Sequence, residues 1–244
     1  MTPTSSIGAE EKIEIANSAE TFKFTLQGDE VIPSVGVTKG LVQEERNPFF
    51  LAGTAMAEVK VTPIATTFKI ARTQFRFGNL PKSEAASALV SGNSPDSVAG
   101  TADNLNFVIG FAGNETAAVL ETDWTARLKS TLKAVYIKNE RGFVDTSEGR
   151  MGRFDLKMTF GNMALKPSVT VFNVEADTTP GGYTILANRY NNRKGYVAGL
   201  SLEMIKQKLT FFGNYTKATE IVDSPFLFDR EIYNLGVEVN YDIF

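Results

Sequence analysis

The chain alternates apolar and polar residues with period two through most of its length. Between positions 153 and 160, apolar side chains occupy the even positions and polar side chains the odd ones, and residues 233–243 alternate in the same way. Successive side chains of a β-strand point to opposite faces of a sheet. The pattern therefore predicts strands with one apolar face and one polar face.

The same reading predicts about a dozen strands, many of them about ten residues long. Strands of soluble proteins usually have about five or six residues, whereas a tilted strand that crosses a membrane needs about nine to eleven. Strand length therefore favours a membrane-spanning sheet. The predicted strands are 22–27, 31–42, 50–61, 65–77, 105–112, 116–124, 128–138, 152–160, 165–175, 183–190, 194–204, 207–217 and 231–243.

Two segments leave local questions open. Residues 118–138 keep one phase throughout, which fits either two strands joined by a tight turn or one long strand. Residues 64–78 change phase, from Phe68 and Ile70 to Phe75 and Phe77, which predicts a β-bulge.

The connections differ in length along the chain. Short turns are predicted at 113–115, 161–163 and 205–207, whereas 79–104, 139–151 and 218–230 read as long polar loops. Within the longest loop, residues 81–89 have the composition of a short helix. Short turns at one rim and long loops at the other are typical of outer-membrane β-barrels.

The last twelve residues, Tyr233 to Phe244, resemble the closing strand of Gram-negative outer-membrane β-barrels, which ends in an aromatic residue after alternating apolar positions and an upstream glycine. The resemblance implies recognition by the barrel-assembly machinery. One departure is that Phe244 is out of phase with Tyr241 and Ile243.

These observations predict an all-β fold, a closed antiparallel up-and-down transmembrane β-barrel of about 12 strands. The chain reads as one domain over residues 1–244, with 79–104 as its long loop. Residues 1–20 are an N-terminal extension, a plug or the first strand. The alternative fold is a soluble β-sandwich, whose strands also alternate.

Composition argues against several functions. The formal net charge is −3 and no basic tract contains interleaved aromatic residues, so we expect no nucleic-acid partner. The chain has no histidine and no cysteine, which excludes Ser-His-Asp and Cys-His catalysis and removes the usual nitrogen and sulfur ligands of metals. The sequence therefore predicts a protein that is not an enzyme and that has no cofactor and no metal site.

Charged residues of the polar parity are the candidate functional residues. In the predicted barrel they line the lumen: a basic arc lies opposite an acidic arc, and together they produce a transverse field similar to that of diffusion porins. The predicted pore-lining residues are Lys129, Lys133, Arg153, Asp155, Lys157, Glu203, Glu238 and Asp242. A constriction loop like that of porins would add Glu84, Asp96 and Asp103, unless residues 79–104 form a solvated extracellular tip.

The sequence thus predicts a porin-like channel of the bacterial outer membrane for passive diffusion of small polar solutes. The expected partners are outer-membrane lipid, the barrel-assembly machinery and the solutes, and the oligomeric state stays open, with a homo-oligomer among the alternatives. A second hypothesis is a barrel that acts as adhesin, receptor or structural anchor through its long loops. A third is a soluble β-sandwich assembly protein.

Overall fold

The computed structural model describes residues 11–17, 20–31, 49–61, 65–78, 80, 82–101, 104–181 and 191–239. Almost all regular structure in these residues is β-strand, as the period-two pattern predicts. The one α-helix of the described residues, α1, runs from Lys82 to Val90 and confirms the short helix expected at 81–89. No helix of the described part of the chain is long and apolar enough to cross a membrane.

Thirteen strands are present in the described residues. Ten of them have ten or more residues, and these ten form the main sheet together with β1. Their bounds are β1 Glu11–Asn17, β2 Glu20–Val31, β3 Phe49–Val61, β4 Thr66–Gly78, β5 Val98–Thr101, β6 Asn104–Phe107, β7 Phe111–Thr125, β8 Leu128–Asn139, β9 Glu148–Phe160, β10 Met163–Val174, β11 Arg193–Met204, β12 Leu209–Glu220 and β13 Arg230–Val239.

The main sheet is antiparallel and follows the chain order, except that it passes directly from β4 to β7. Side chains are described for the nine strands from β3 to β13, apart from residues 49–51, and β1 and β2 extend the sheet to eleven strands. Strands β5 and β6, which lie between β4 and β7 in sequence, form a separate two-stranded sheet.

The expected closed barrel is wrong, because the sheet is open. In the described residues β1 pairs only with β2, and β13 pairs only with β12, so the last strand does not close onto the first. Alternation and strand length indicate which face a residue occupies and how far a strand extends. Closure depends instead on pairing between two edges far apart in sequence, which neither pattern encodes.

The local questions have clear answers. Residues 118–138 form two strands, β7 and β8, joined at 126–127. Strand β4 keeps an unbroken register with both neighbours, so the expected bulge is wrong.

The turn expected at 113–115 is also wrong, because these residues lie inside β7. The tight turns at 161–162 and 205–208 are confirmed. Most of the strands expected at 31–42 and 183–190 lies outside the described residues.

The cross-strand register divides the side chains between two faces of different chemistry. Residues that pair directly share a face, so Leu120, Leu132, Phe154 and Val169 form a continuous apolar row across β7 to β10. Several of these side chains are exposed; Leu132 is 50% exposed. We call this side of the sheet the apolar face and the opposite side the polar face.

The polar face changes character along the strands. We call the end of the sheet with the connections 126–127, 161–162 and 205–208 the turn end, and the opposite end the loop end. Near the loop end the polar face contains a buried apolar core, which explains the phase change in β4. The core consists of Phe75, Val135, Ile137, Phe172, Val174 and Ala218.

The connection from β4 to β7 packs onto the loop end. The ring of Phe107 contacts that of Phe111, which lies on the polar face, at a centroid distance of 5.0 Å. Gly92 follows α1 with φ of +97°, and a Cβ at this position would lie 2.2 Å from the carbonyl oxygen of Asn191. Only glycine therefore fits where this connection meets the start of β11.

We expect Gly92→Ala to detach this connection from the sheet. The backbone strain alone costs about 1–3 kcal/mol, and the clash with Asn191 adds to it. Gly53→Ala is the matched control, because a Cβ there meets no atom within 4 Å. Thermal unfolding and protease cleavage within 82–107 measure the effect. Equal stability and equal cleavage of the two variants would contradict the close packing at Gly92.

Candidate functional site

The polar face gathers seven of the eight predicted pore-lining residues in its charged part. Lys133 lies directly opposite Arg153, and Glu238 and Glu203 both lie opposite Thr210. The register links all seven to this one face, as their parity predicts. The seven are Lys129, Lys133, Arg153, Asp155, Lys157, Glu203 and Glu238, whereas Asp242 lies outside the described residues.

The predicted basic arc consists of like charges placed directly across from each other. Lys129 faces Lys157, and Lys133 faces Arg153, four residues further along the same strands. Direct opposition of like charges destabilises a strand pair. A sheet that holds two such pairs needs acidic side chains close by.

Acidic residues of the same face supply this compensation. Lys129 Nζ lies 2.9 Å from Asp123 Oδ2, and Arg153 binds both carboxylate oxygens of Asp155, with its Nη2 2.7 Å from Oδ1. These side chains are one third to one half exposed, so each pair contributes only modestly to stability. Lys133 and Lys157, the other two cations of the arc, also interact electrostatically with acidic residues, Lys133 with Glu115 and Lys157 with Glu203.

The expected acidic arc is weaker than the sequence indicates. Glu203 contacts Lys166 Nζ, a residue of the same face on the adjacent strand β10. The reading from the sequence omitted Lys166, and also Lys69, whose Nζ lies 2.9 Å from Glu121 Oε2. The alternation along β10 and β4 could have assigned Lys166 and Lys69 to the polar face. It could not have identified their acidic partners, because these depend on the register between strands. Charge on the polar face is thus locally paired rather than divided into two opposed arcs.

The expected constriction-loop residues are only partly described. Asp96 is exposed in a single 3-10 turn, Pro95–Ser97, where its N–H donates to Ser94 Oγ. Glu84 lies in α1, and nothing is described of its side chain; Asp103 lies outside the described residues. The loop that carries them contacts the polar face at Phe111, on the loop-end side of the charged residues. The described contacts include none between Asp96 and the seven charged residues of the polar face.

A buried polar junction holds this loop in place. The Asn93 side chain donates to the carbonyl oxygens of Ala176 and Thr179, at 2.9 and 3.0 Å. The Asp177 carboxylate accepts from the Ser94 N–H at 3.1 Å and from the Thr146 hydroxyl at 2.8 Å. Three loops are therefore fixed to one another at the loop end.

The junction holds a carboxyl group out of water. Burial raises the pKa of Asp177, and the hydrogen bonds from Thr146 and Ser94 offset only part of this effect. In the described residues no group of three or more acidic side chains is arranged to hold a metal ion.

Comparisons with known proteins find no family model that matches the chain and no curated protein that is similar to it in sequence.

We expect the loop junction to become more stable as the pH falls from neutral. The folded pKa of Asp177 lies above the unfolded value of about 3.8, so the folded state binds more protons between these two values. Stability is then lowest above the folded pKa and rises as the pH falls through it. Asp177→Asn should remove this dependence, since the amide keeps an acceptor for Ser94 and the Thr146 hydroxyl can turn to accept.

Amide hydrogen exchange of residues 93–97 between pH 7 and 4 measures this effect. Asp145→Asn, which changes an exposed carboxyl of the neighbouring loop, is the control. A wild-type protein whose exchange protection falls on acidification would show that the sign is wrong.

Proposed function

We propose that the protein is an integral protein of the bacterial outer membrane that gives small polar solutes a passive passage along the polar face of its sheet. The observation that carries the proposal is the band of exposed apolar side chains on the opposite face. Monomeric soluble proteins rarely expose apolar patches above a few hundred Å². A sheet of this size with an exposed apolar side fits a hydrocarbon environment.

The height of the band matches a membrane. On β11 the apolar face carries Tyr196, Ala198, Leu200, Leu202 and Met204, and the next residue of this face toward the loop end is Lys194. Nine residues of strand extend over about 26 Å, and a tilted strand of about nine to eleven residues crosses the hydrocarbon core. The charged residue marks the level at which the lipid headgroups would begin.

Aromatic side chains lie at this level. Tyr196, Tyr215 and Tyr233 contact one another across β11, β12 and β13, with ring centroids 5.9 and 4.8 Å apart. At the turn end, Trp124 is 64% exposed and donates to Ser130 Oγ at 2.8 Å. Tyrosine and tryptophan concentrate at membrane interfaces because their rings are apolar and their N–H or O–H groups are polar.

The open edges of the sheet add a requirement. In hydrocarbon each unpaired backbone N–H or C=O costs several kcal/mol, so both edges of the sheet need a neighbouring strand. We therefore expect several copies of the chain to cover one another's edges and to enclose the passage between their polar faces. The charged residues near the turn end would then line the wide part of the passage, and the apolar core would narrow it at the loop end.

We expect Leu132→Arg to prevent stable insertion into lipid and Thr131→Arg to be tolerated. Leu132 lies in the middle of the apolar band, where an arginine costs about 2–4 kcal/mol, whereas Thr131 lies on the polar face opposite Asp155. Flotation with liposomes measures insertion of both variants. Equal flotation of both would contradict lipid contact of the apolar face.

Quenching of Trp124 fluorescence by brominated lipids measures how deeply this residue lies in the bilayer, independently of flotation. The signal comes from one residue, because the chain has only one tryptophan. Bromine near the headgroup should quench Trp124 more strongly than bromine near the chain end.

We expect the proposed passage to be ion-selective. Lys129 and Lys157 face each other on the polar face, so replacing both by glutamine removes two cations from the wall of the passage. The reversal potential in a salt gradient across a planar bilayer should shift toward cation preference. The shift should diminish near 1 M salt, where the Debye length is about 3 Å.

The control replaces two exposed cations outside the polar face, Lys206→Gln with Arg141→Gln, and should leave selectivity unchanged. The sample used should be the extracted particle that contains more than one 26.7 kDa chain. Inserted protein without conductance would favour the second candidate function, a membrane anchor that binds partners through its loops. The rigid junction at Asn93 and Asp177 supports that candidate.

A further inference from the structure

One aromatic side chain is an exception to the separation of apolar and polar side chains between the two faces. Phe212 is 37% exposed, and among the described side chains of the main sheet it is the only large exposed apolar one on the polar face. Its neighbour Phe211 lies on the apolar face, as the alternation requires. The buried core near the loop end holds other large apolar residues of the polar face, among them Phe75, Val135 and Phe172.

Two glycines make room for the side chains around this ring. A Cβ at Gly236 would lie 2.3 Å from Cζ of Phe212, so the ring extends across β13 over the bare backbone. A Cβ at Gly199 would lie 2.6 Å from both Ser168 Oγ and Asn214 Oδ1. These two oxygens therefore lie close together above Gly199, on the same face as the ring.

The ring and the two oxygens belong to one cavity of about 230 Å³. Its size is below the range of about 300–1,000 Å³ that is usual for drug-sized ligands, so it suits a single small ring. Besides Phe212, the polar-face residues that line it are Arg153, Asp155, Lys166, Ser168, Ser201 and Asn214.

The charged side chains at this cavity already form ion pairs within the protein. Arg153 binds Asp155 through two nitrogens, and Lys166 contacts Glu203 at 2.5 Å. A charged ligand would have to compete with these internal ion pairs. A neutral ligand with hydroxyl groups needs no such exchange, since a hydroxyl donates to a carboxylate or amide oxygen and accepts from a guanidinium, an ammonium or a serine hydroxyl.

We propose that this cavity binds one neutral sugar ring, with the apolar C–H face of the sugar on Phe212 and its hydroxyls on Asp155, Ser168 and Asn214. The combination of a partly exposed aromatic ring with closely spaced donors and acceptors matches a pyranose, which has an apolar face and a polar rim. The inference rests on the proposed function in that it names the class of solute that the passage selects.

The test is saturation-transfer NMR with D-glucose on the full chain in an amine-oxide detergent, which has no sugar headgroup. We expect wild-type protein to transfer saturation to glucose, and an excess of glutamate or of lysine not to displace it. Phe212→Leu keeps an apolar side chain but loses the flat ring, and should weaken glucose binding about tenfold, the equivalent of about 1.4 kcal/mol. Phe211→Ala, on the opposite face, should bind glucose as the wild type does.

Phe212→Tyr should retain binding, because the ring is preserved. No glucose signal from folded wild-type protein would overturn the proposal, as would equal binding by Phe212→Leu and the wild type. Displacement of glucose by glutamate or lysine would overturn the assignment to neutral sugars. If Trp124 shows no lipid contact while glucose binding still depends on Phe212, the proposed membrane function fails and the sugar site stands. If Trp124 contacts lipid but the protein does not bind glucose, the sugar site fails and the proposed membrane function stands.

Discussion

Antiparallel backbone pairing is the constraint on which the rest of this structure depends. Each strand of the main sheet pairs with the next in continuous register, with one irregularity between Asp123 and Thr125. Since directly paired residues share a face, the register keeps most apolar side chains on one side and most charged side chains on the other, except near the loop end. A shift of one residue in any pair would exchange the two chemistries.

The same register creates the electrostatic problem of the polar face and its solution. Pairing places Lys129 opposite Lys157 and Lys133 opposite Arg153. The compensating carboxylates come from β7 and from β9 itself, as Asp123 and Asp155. A polar face with compensated charges suits water and neutral or weakly charged solutes, and this is the basis on which we propose a passage that includes a sugar site.

The two ends of the polar face have different roles. At the loop end, Phe75, Val135 and Phe172 form a buried core, and the Asn93–Asp177 junction holds three loops together. At the turn end, the charged side chains stay partly exposed. In the proposed passage, the rigid end limits the size of the solute, whereas the charged end determines which solutes collect there.

The sequence alone determined the strand content, the parity of each strand and the membership of the polar face, because period two is a local property of the chain. Lys129 to Glu203 could be assigned to one face without a structure. The open edges at β1 and β13, the pairing of Glu203 with Lys166, and the core that interrupts the polar face at Phe75 required the tertiary structure. These features depend on which strands are neighbours and in what register. Two strands with the same alternation fit many neighbours equally well, so only the assembled sheet brings Phe212, Asn214 and Ser168 around one cavity.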